Sequence, residues 1–132
     1  MKVSKAPKSV PHKDHYARIS YLFQASSHLA LNPQYDVLSR HYARTLDLVA
    51  KKTVLKLTPA LKRQLCKKCN TFLIPGLTVK IHIENLSKAK SLRNDVLVNE
   101  CLECGEKKRF PVGQQRDYVL FSEKEDVKIP AL

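Results

Sequence analysis

The sequence predicts an α+β fold in which an antiparallel hairpin of two helices precedes a small antiparallel sheet. Two observations lead to this prediction. Apolar residues recur at helical spacing from Asp14 to about Leu57, whereas after Cys69 apolar and polar residues alternate in short runs, as they do in strands. The predicted parts are a mobile basic arm at 1–13, a helical hairpin with a short linking helix at 14–65, a sheet module at 66–112 and a tail at 113–132.

The first helix is predicted to begin at Asp14, because a carboxylate suits a helix N-cap. Its apolar stripe, at spacings of mostly three and four residues, consists of Tyr16, Ile19, Leu22, Phe23, Leu29 and Ala30. Ser26 interrupts the stripe, but its side chain is small enough to lie where two helices approach closely. Asn32 and Pro33 then end this helix and start the next, with Asn as N-cap and Pro at the first helical position.

The second helix is predicted to run to about Leu57. Its apolar stripe consists of Leu38, Tyr42, Thr45 or Leu46, Val49 and Thr53. Thr58 and Pro59 repeat the cap-and-proline signal and predict a short helix that leads into Cys66. A hairpin of two helices has little to cover its outer side, where Tyr21, Val37 and Leu48 would lie. These residues therefore suggest contact with the sheet module or with a partner protein.

Short strands are predicted after the helices. Residues 71–74 read as one strand, which ends at the turn dipeptide Pro75-Gly76. Val79, Ile81 and Ile83 alternate with polar residues, which is typical of a half-buried strand. Residues 96–101 and 107–112 are predicted to complete the sheet.

The four cysteines form two C-x-x-C pairs separated by 31 residues: Cys66, Cys69, Cys101 and Cys104. This is the spacing of a four-thiolate zinc site, in which each pair forms a tight knuckle. The residues that follow the knuckles, Asn70 and Gly105, are types that tolerate the positive φ such a turn needs. Four thiolates would leave no coordination position for water, so we expect one structural Zn²⁺ and a zinc ribbon.

Other uses of these cysteines fit less well. The N-terminal residues lack the apolar core of a signal peptide, which argues against a secreted disulfide framework. A thioredoxin-like redox site needs one C-x-x-C beside a βαβ pattern, and that pattern is missing. An iron–sulfur cluster uses the same ligands and stays open at this point.

The charge of the chain indicates a polyanionic partner. Lys and Arg total 24 against 12 acidic residues, which gives a formal net charge of +12. No acidic residue occurs between Asp47 and Glu84, and no apolar run approaches the ~18 residues of a membrane span. The predicted RNA-facing residues are Lys51, Lys52, Lys56, Lys62, Arg63, Lys67, Lys68, Lys107, Lys108 and Arg109.

Several segments together resemble a known family. The first helix carries Tyr21-Leu22-Phe23-Gln24-Ala25-Ser26, and the second carries Leu38-Ser39-Arg40-His41-Tyr42. The run Lys62-Arg63-Gln64-Leu65 then enters the first knuckle, Leu73-Ile74-Pro75-Gly76 follows it, and Cys101-Leu102-Glu103-Cys104-Gly105 forms the second. Over residues 14–112 the chain is similar to the small zinc-ribbon protein subunit of nuclear ribonuclease P.

The resemblance implies an accessory role in tRNA processing. Ribonuclease P removes the 5′ leader from precursor tRNA, and its RNA subunit holds the catalytic metal ions, so no catalytic residue is expected in this chain. The implied location is the nucleus, and the implied partners are the ribonuclease P RNA, precursor tRNA, a small β-barrel protein subunit and other protein subunits. The apolar residues expected to contact protein partners are Ile19, Leu22, Phe23, Leu38, Tyr42 and Leu46.

Three alternatives remain at the level of sequence. The related subunit of ribonuclease MRP, which processes ribosomal RNA, would share the ribbon and the basic surface. A zinc-ribbon transcription factor or ribosomal protein would share the knuckles, but the long helix pair counts against it. An independent metal-dependent nuclease would need carboxylates or histidines clustered around an open ion, and a long stretch without acidic residues is the opposite of that.

Overall fold

The computed structural model describes residues 11–114 together with residues 119 and 124. Three helices precede a three-stranded antiparallel sheet of order β1-β2-β3, which confirms the predicted fold class. The elements are α1 (Lys13–Ala30), α2 (Asp36–Lys52), α3 (Pro59–Gln64), β1 (Val79–Glu84), β2 (Val96–Cys101) and β3 (Lys107–Pro111). Residues 1–10 of the predicted arm and most of the predicted tail lie outside the described residues. Within the described part, no helix has the length and hydrophobicity that a membrane crossing requires.

The seam between α1 and α2 is built mainly from small side chains. Its buried residues are Ile19, Leu22, Ser26 and Ala30 from α1, and Ser39, Ala43, Leu46 and Ala50 from α2. Ser26 Oγ donates to the carbonyl of Ser39 (3.1 Å), and Ser39 Oγ donates to the carbonyl of Ser26 (2.8 Å). The reciprocal bonds satisfy two buried hydroxyls and hold the helices close. The prediction that Ser26 lies at a close helix contact is confirmed.

The seam corrects the predicted partner contacts. Ile19, Leu22 and Leu46 are only 6%, 6% and 1% exposed, so the prediction that they contact a partner is wrong. They are buried because they lie on the faces where the two helices pack together and so form the core of the hairpin itself. Tyr42 packs beside this core, whereas Leu38 is exposed.

Both long helices differ from prediction at one end. α1 begins at Lys13 with His12 as N-cap, so Asp14 is not the cap; it lies in the first turn, where a carboxylate favours the positive end of the helix dipole. α2 ends at Lys52 rather than near Leu57. It ends there because Val54 takes a left-handed conformation (φ 56°), and the chain then turns so that Leu55 and Leu57 pack on the hairpin core.

The two helix connections follow the predicted signals. Asn32 Oδ1 accepts a hydrogen bond from the backbone N–H of Gln34 (3.1 Å), although the turn that follows is a 3₁₀ helix, Pro33–Tyr35, before α2 begins. Pro59 occupies the first turn of α3, as predicted. These local signals work because they depend on neighbouring residues alone.

The strand predictions are partly wrong. Residues 71–74 form no strand but one isolated antiparallel bridge, Phe72 with Leu65, in which the N–H of Cys66 donates to the carbonyl of Thr71 (2.9 Å) and the N–H of Leu73 donates to the carbonyl of Gln64 (2.8 Å). In β1, Val79 is buried opposite Cys101, but Ile81 and Ile83 are 45% and 64% exposed rather than half-buried. The cluster of buried residues around the cysteines includes Val79 at the start of β1. Ile81 and Ile83 lie farther along the strand, opposite Asn99 and Leu97, and are not part of this cluster.

The hairpin and the sheet module meet through aromatic and aliphatic side chains. The rings of Phe23 and Phe72 lie 5.3 Å apart at 58°, and Leu65 packs against the hairpin core. Phe23, predicted to contact a partner protein, therefore has an internal partner. This contact links the stability of the two halves of the chain.

Replacing Ser26 by Leu is expected to lower the free energy of unfolding by about 1–3 kcal/mol, because the larger side chain overfills the closest helix contact. Chemical denaturation followed by circular dichroism measures the change. Ser20→Leu is the matched control, since Ser20 is an exposed serine of the same helix. Equal effects of the two substitutions would contradict the role assigned to the seam.

Candidate metal centre and nucleic-acid interface

The two knuckles bring all four thiols together. The sulfurs of Cys66, Cys69, Cys101 and Cys104 lie within 4.8 Å of one another, and none is in a disulfide. The shortest separations are 3.4 Å for Cys66–Cys104 and 3.6 Å for Cys69–Cys101. A tetrahedral ion with metal–sulfur bonds of about 2.3 Å separates its sulfurs by about 3.8 Å. The four predicted ligands are therefore positioned to hold one metal ion.

The same turn builds each knuckle. The N–H of Asn70 donates to the carbonyl of Cys66 (3.1 Å), and the N–H of Gly105 donates to the carbonyl of Cys101 (2.9 Å). Asn70 has φ 59° and Gly105 has φ 72°, as the residue types predicted. These turns aim two sulfurs from each knuckle at one point.

The thiols differ in their tendency to ionise. Burial raises the pKa of Cys66 and raises that of Cys101 to about 12, although backbone N–H groups of the knuckles oppose the shift. Burial also acts on Cys69, but hydrogen bonds from the hydroxyl and backbone of Thr71 outweigh it and lower the pKa to about 7. A bound cation would hold such thiols as thiolates.

Lys108 joins the sheet to the end of α3. Its Nζ donates to the carbonyls of Lys62 (2.7 Å) and Leu65 (2.5 Å). Burial lowers the pKa of Lys108, while the nearby Cys66 and Cys101 oppose the shift. The Lys108 ammonium therefore supports the fold next to the four cysteines.

Replacing Lys108 by Met is expected to lower the free energy of unfolding by about 1.5–3 kcal/mol, because two carbonyls lose a charged donor. The neighbouring Lys107→Met is the matched control. Lys107 lies 3.6 Å from Glu84 in a solvent-accessible ion pair, so we expect a much smaller change there. Urea denaturation of both variants measures the difference, and a Lys107→Met effect as large as that of Lys108→Met would refute the assignment.

A groove rich in cations runs along α2 and over the first knuckle. One part lies between α2 and residues 66–69, and the other lies between α3 and β3. The two parts share Asp47, Lys51, Lys67 and Asn70, so they are continuous. We call this the basic groove; its cationic residues besides Lys108 are Arg40, Arg44, Lys51, Lys62, Arg63, Lys67, Lys68 and Arg109.

The basic groove contains most of the predicted RNA-binding residues, but Lys52, Lys56 and Lys107 do not line it. Sequence reasoning missed Arg40 and Arg44, which precede the acid-free stretch. Their spacing in the sequence could have revealed them: residues 40, 44, 47 and 51 are three or four positions apart and therefore lie on one face of the helix. Asp36 and Asp47 pair with Arg40 (2.7 Å) and Lys51 (2.6 Å) there.

Glu84 lowers the positive charge beside β3. Its carboxylate lies 3.0 Å from Nε2 of His82, 3.6 Å from Nζ of Lys107 and 3.8 Å from Nε of Arg109. The hydrogen bond from His82 and the charges of Lys107, His82 and Arg109 lower the pKa of Glu84. Glu84 therefore partly neutralises both Lys107 and Arg109. Of these two residues, only Arg109 lines the basic groove.

Residues 18–105 match the model of the RNAse P Rpr2/Rpp21/SNM1 subunit domain family, and this span includes all four cysteines. The chain belongs to this family. It is 43% identical over 102 residues to ribonuclease P protein subunit rpr2 of Schizosaccharomyces pombe, with 77% of this chain and 94% of that protein covered. It is 30% identical to ribonuclease P protein subunit RPR2 of Saccharomyces cerevisiae, with 90% and 79% covered.

A solved structure agrees with these relatives. The fold is similar to a chain in a cryo-EM structure of archaeal ribonuclease P with mature tRNA, with a TM-score of 0.65, 30% identity and coverage of 82% and 84% of the two chains. Family membership confirms the resemblance seen in the sequence. It supports an accessory ribonuclease P subunit over the subunit of ribonuclease MRP, a transcription factor or a ribosomal protein.

Proposed function

We propose that the chain is a zinc-stabilised accessory subunit of ribonuclease P that presents the basic groove to structured RNA. The observation that carries this proposal is the continuity of the groove with the metal site. Lys67 and Lys68 lie inside the first knuckle and face the cations of α2 across the groove. The metal site thereby holds the phosphate-binding residues in place, while catalysis belongs to the RNA subunit.

The donor set favours zinc. Four thiolates in tetrahedral positions are ligands that Zn²⁺ prefers and that also bind iron. Sulfur separations of 4.8 Å or less fit a single ion rather than a cluster of several irons. Zinc would supply folding free energy and no chemistry, because all four ligands come from the protein.

Phosphate contacts along the groove fit a role against the ribonuclease P RNA and precursor tRNA. Its lysines and arginines come from α2, the first knuckle, α3 and β3, so they form a broad surface rather than one helix face. Such a surface positions an RNA without reading much of its sequence. Specificity for the substrate would then come from contacts between the RNA subunit and precursor tRNA.

The outer side of the hairpin is suited to a protein subunit, and we assign the small β-barrel subunit to it. Tyr21, Val37 and Leu48 are 62%, 74% and 56% exposed, as the sequence suggested. Val37 and Leu48 also border the basic groove, so the protein contact would adjoin the RNA surface. Exposed apolar side chains of this size favour a protein contact. Relatives from fission yeast, mouse and human are ribonuclease P subunits, and we infer a nuclear particle for this chain as well.

The purified chain is expected not to cleave precursor tRNA, because a metal site with four protein ligands offers no position for a reacting water. Incubation with labelled precursor tRNA, followed by gel analysis of the 5′ leader, tests this. The matched sample contains the same chain reconstituted with the ribonuclease P RNA and its other subunits. Robust cleavage by a preparation proven free of RNA would overturn the accessory role.

Sequencing the RNA that co-purifies with the tagged protein from cells tests which ribonucleoprotein contains this chain. Ribonuclease P RNA supports the proposal. Enrichment of ribonuclease MRP RNA alone, or of ribosomal RNA alone, would contradict it.

A further inference from the structure

We propose that the α3–β3 part of the basic groove binds an unpaired nucleotide, with the base against Phe110 and Arg63. This inference rests on the proposed RNA binding and adds a second type of contact to it. We call the site the nucleotide pocket; its lining includes Asp47 and Lys51 of α2 besides Leu57, Lys62, Arg63, Leu65, Lys67, Arg109 and Phe110.

The nucleotide pocket differs in chemistry from the rest of the groove. Phe110 lines it together with Leu57 and Leu65, whereas the α2 part of the groove has Val37, His41 and Leu48 in its lining but no Phe, Tyr or Trp. Phosphate binding needs cations but no apolar wall. An apolar wall inside a cationic groove fits a ligand that has both a flat apolar part and an anionic part, as a nucleotide does.

Arg63 and Phe110 form a stacking platform. The Arg63 guanidinium carbon lies 5.3 Å from the centre of the Phe110 ring, within the range of a cation–π contact. Proteins bind unpaired bases by stacking them on aromatic rings and on guanidinium planes. Lys108 fixes the end of α3 through the carbonyls of Lys62 and Leu65, so the platform is held before RNA binds.

Charge at the rim selects the occupant. Lys62, Lys67 and Arg109 are exposed around the pocket. The single carboxylate among the lining residues, Asp47, already pairs with Lys51 at 2.6 Å. A phosphodiester complements this rim, and a base that is paired in a duplex cannot enter a recess, so the occupant is an unpaired nucleotide.

Fluorescence of 2-aminopurine tests the proposal directly. The full zinc-loaded chain is titrated with a short oligoadenylate that carries one 2-aminopurine, and separately with an RNA duplex of the same length. Stacking quenches 2-aminopurine, so we expect quenching by the unmodified chain. Phe110→Leu and Arg63→Lys keep size or charge but remove a planar group, and each should weaken single-strand binding by about fivefold or more.

Duplex binding and a charge control separate stacking from electrostatics. Phe110→Leu and Arg63→Lys should change duplex affinity by no more than about twofold, because phosphate contacts remain. Lys56→Gln removes a charge outside the pocket; it should lower the salt dependence slightly and leave the quenching intact. Metal content and far-UV circular dichroism check that each variant folds. If Phe110→Leu does not fold, Arg63→Lys alone tests the proposal.

The outcomes distinguish this proposal from the proposed function. Unchanged quenching and affinity in both platform variants would overturn the nucleotide pocket. Binding of both RNAs without quenching would leave the RNA surface in place but refute the pocket, and would assign the recess to another occupant such as a segment of a partner subunit. Failure to bind either RNA would overturn the proposed RNA surface and the pocket with it.

Discussion

Replacing Cys66 by Ser is expected to unfold the sheet at room temperature while most of the helical signal remains. The reason lies in the two separate cores. The hairpin core contains Ile19, Leu22, Leu46 and Ala50, none of which depends on metal. In the sheet module, the buried cluster Cys66, Leu73, Val79 and Cys101 has two predicted metal ligands among its four members, and Phe72 and Val98 are further buried apolar side chains.

The magnitude of this effect follows from what the metal supplies. Structural zinc contributes on the order of 10 kcal/mol to small domains of this kind. Phe72, Leu73, Val79 and Val98 each contribute only about 1.5–3 kcal/mol by burial, and the entropy cost of ordering the module already opposes that gain, so the metal is needed for a stable fold. Because the Phe23 ring packs against the tilted ring of Phe72, the remaining hairpin should also melt at a lower temperature than in the metal-loaded chain.

Circular dichroism melts and metal analysis measure this loss, and removal of the metal by a chelator from the unmodified chain should reproduce it. Leu102→Ser is the matched control, because Leu102 is an exposed residue of the second knuckle and not a ligand. That variant should bind one metal ion and melt almost as the unmodified chain does. A Cys66→Ser chain with an unchanged melt would show that the fold does not depend on the metal.

The features that the sequence predicted correctly depend on local chemistry. Asn70 and Gly105 follow the knuckles, and a turn of that shape needs the positive φ that they adopt. Pro59 likewise starts α3 where a proline fits the first helical turn. In each case the preference of a few neighbouring residues decides the structure, so no distant contact can change it.

Features that depend on tertiary contacts were predicted less well. The helical stripe included Leu38, which is exposed, and left out Ser39, which is buried and bonds Ser26 across the seam. Periodicity identifies an apolar face without saying what covers it. A residue that fills the chain's own core, such as Leu46, therefore looks the same in sequence as one that binds a partner.

The candidate site shows the same division. The acid-free stretch correctly located cations such as Lys67 that line the basic groove. The second basic cluster, Lys107-Lys108-Arg109, also contributed Lys108, whose ammonium donates to backbone carbonyls at the end of α3. That role could be recognised only in three dimensions. Arg44 was missed because it precedes Asp47 and so lies outside the acid-free stretch. In the structure, Asp47 pairs with Lys51.

Reversing the charge of four exposed groove residues is expected to weaken RNA binding strongly. The substitutions are Arg44→Glu, Lys62→Glu, Lys67→Glu and Lys68→Glu. Each lost phosphate contact lowers the slope of log affinity against log salt by about 0.7–0.9, so four should lower it by about 3 and reduce affinity by roughly 100-fold or more. Fluorescence anisotropy with labelled ribonuclease P RNA at several salt concentrations measures both quantities. Arg63 is left unchanged because it packs on Phe110.

A second set of reversals separates the groove from net charge. Arg18→Glu, Lys88→Glu, Lys90→Glu and Arg93→Glu alter exposed residues outside the groove and change the net charge of the chain by the same amount. Long-range attraction depends on total charge, so both sets should slow association, but only the groove set removes direct phosphate contacts. The groove set should therefore flatten the salt slope much more than the control set. Equal slopes would mean that net charge alone attracts the RNA, and a larger effect of the control set would place the RNA surface on the loop between β1 and β2.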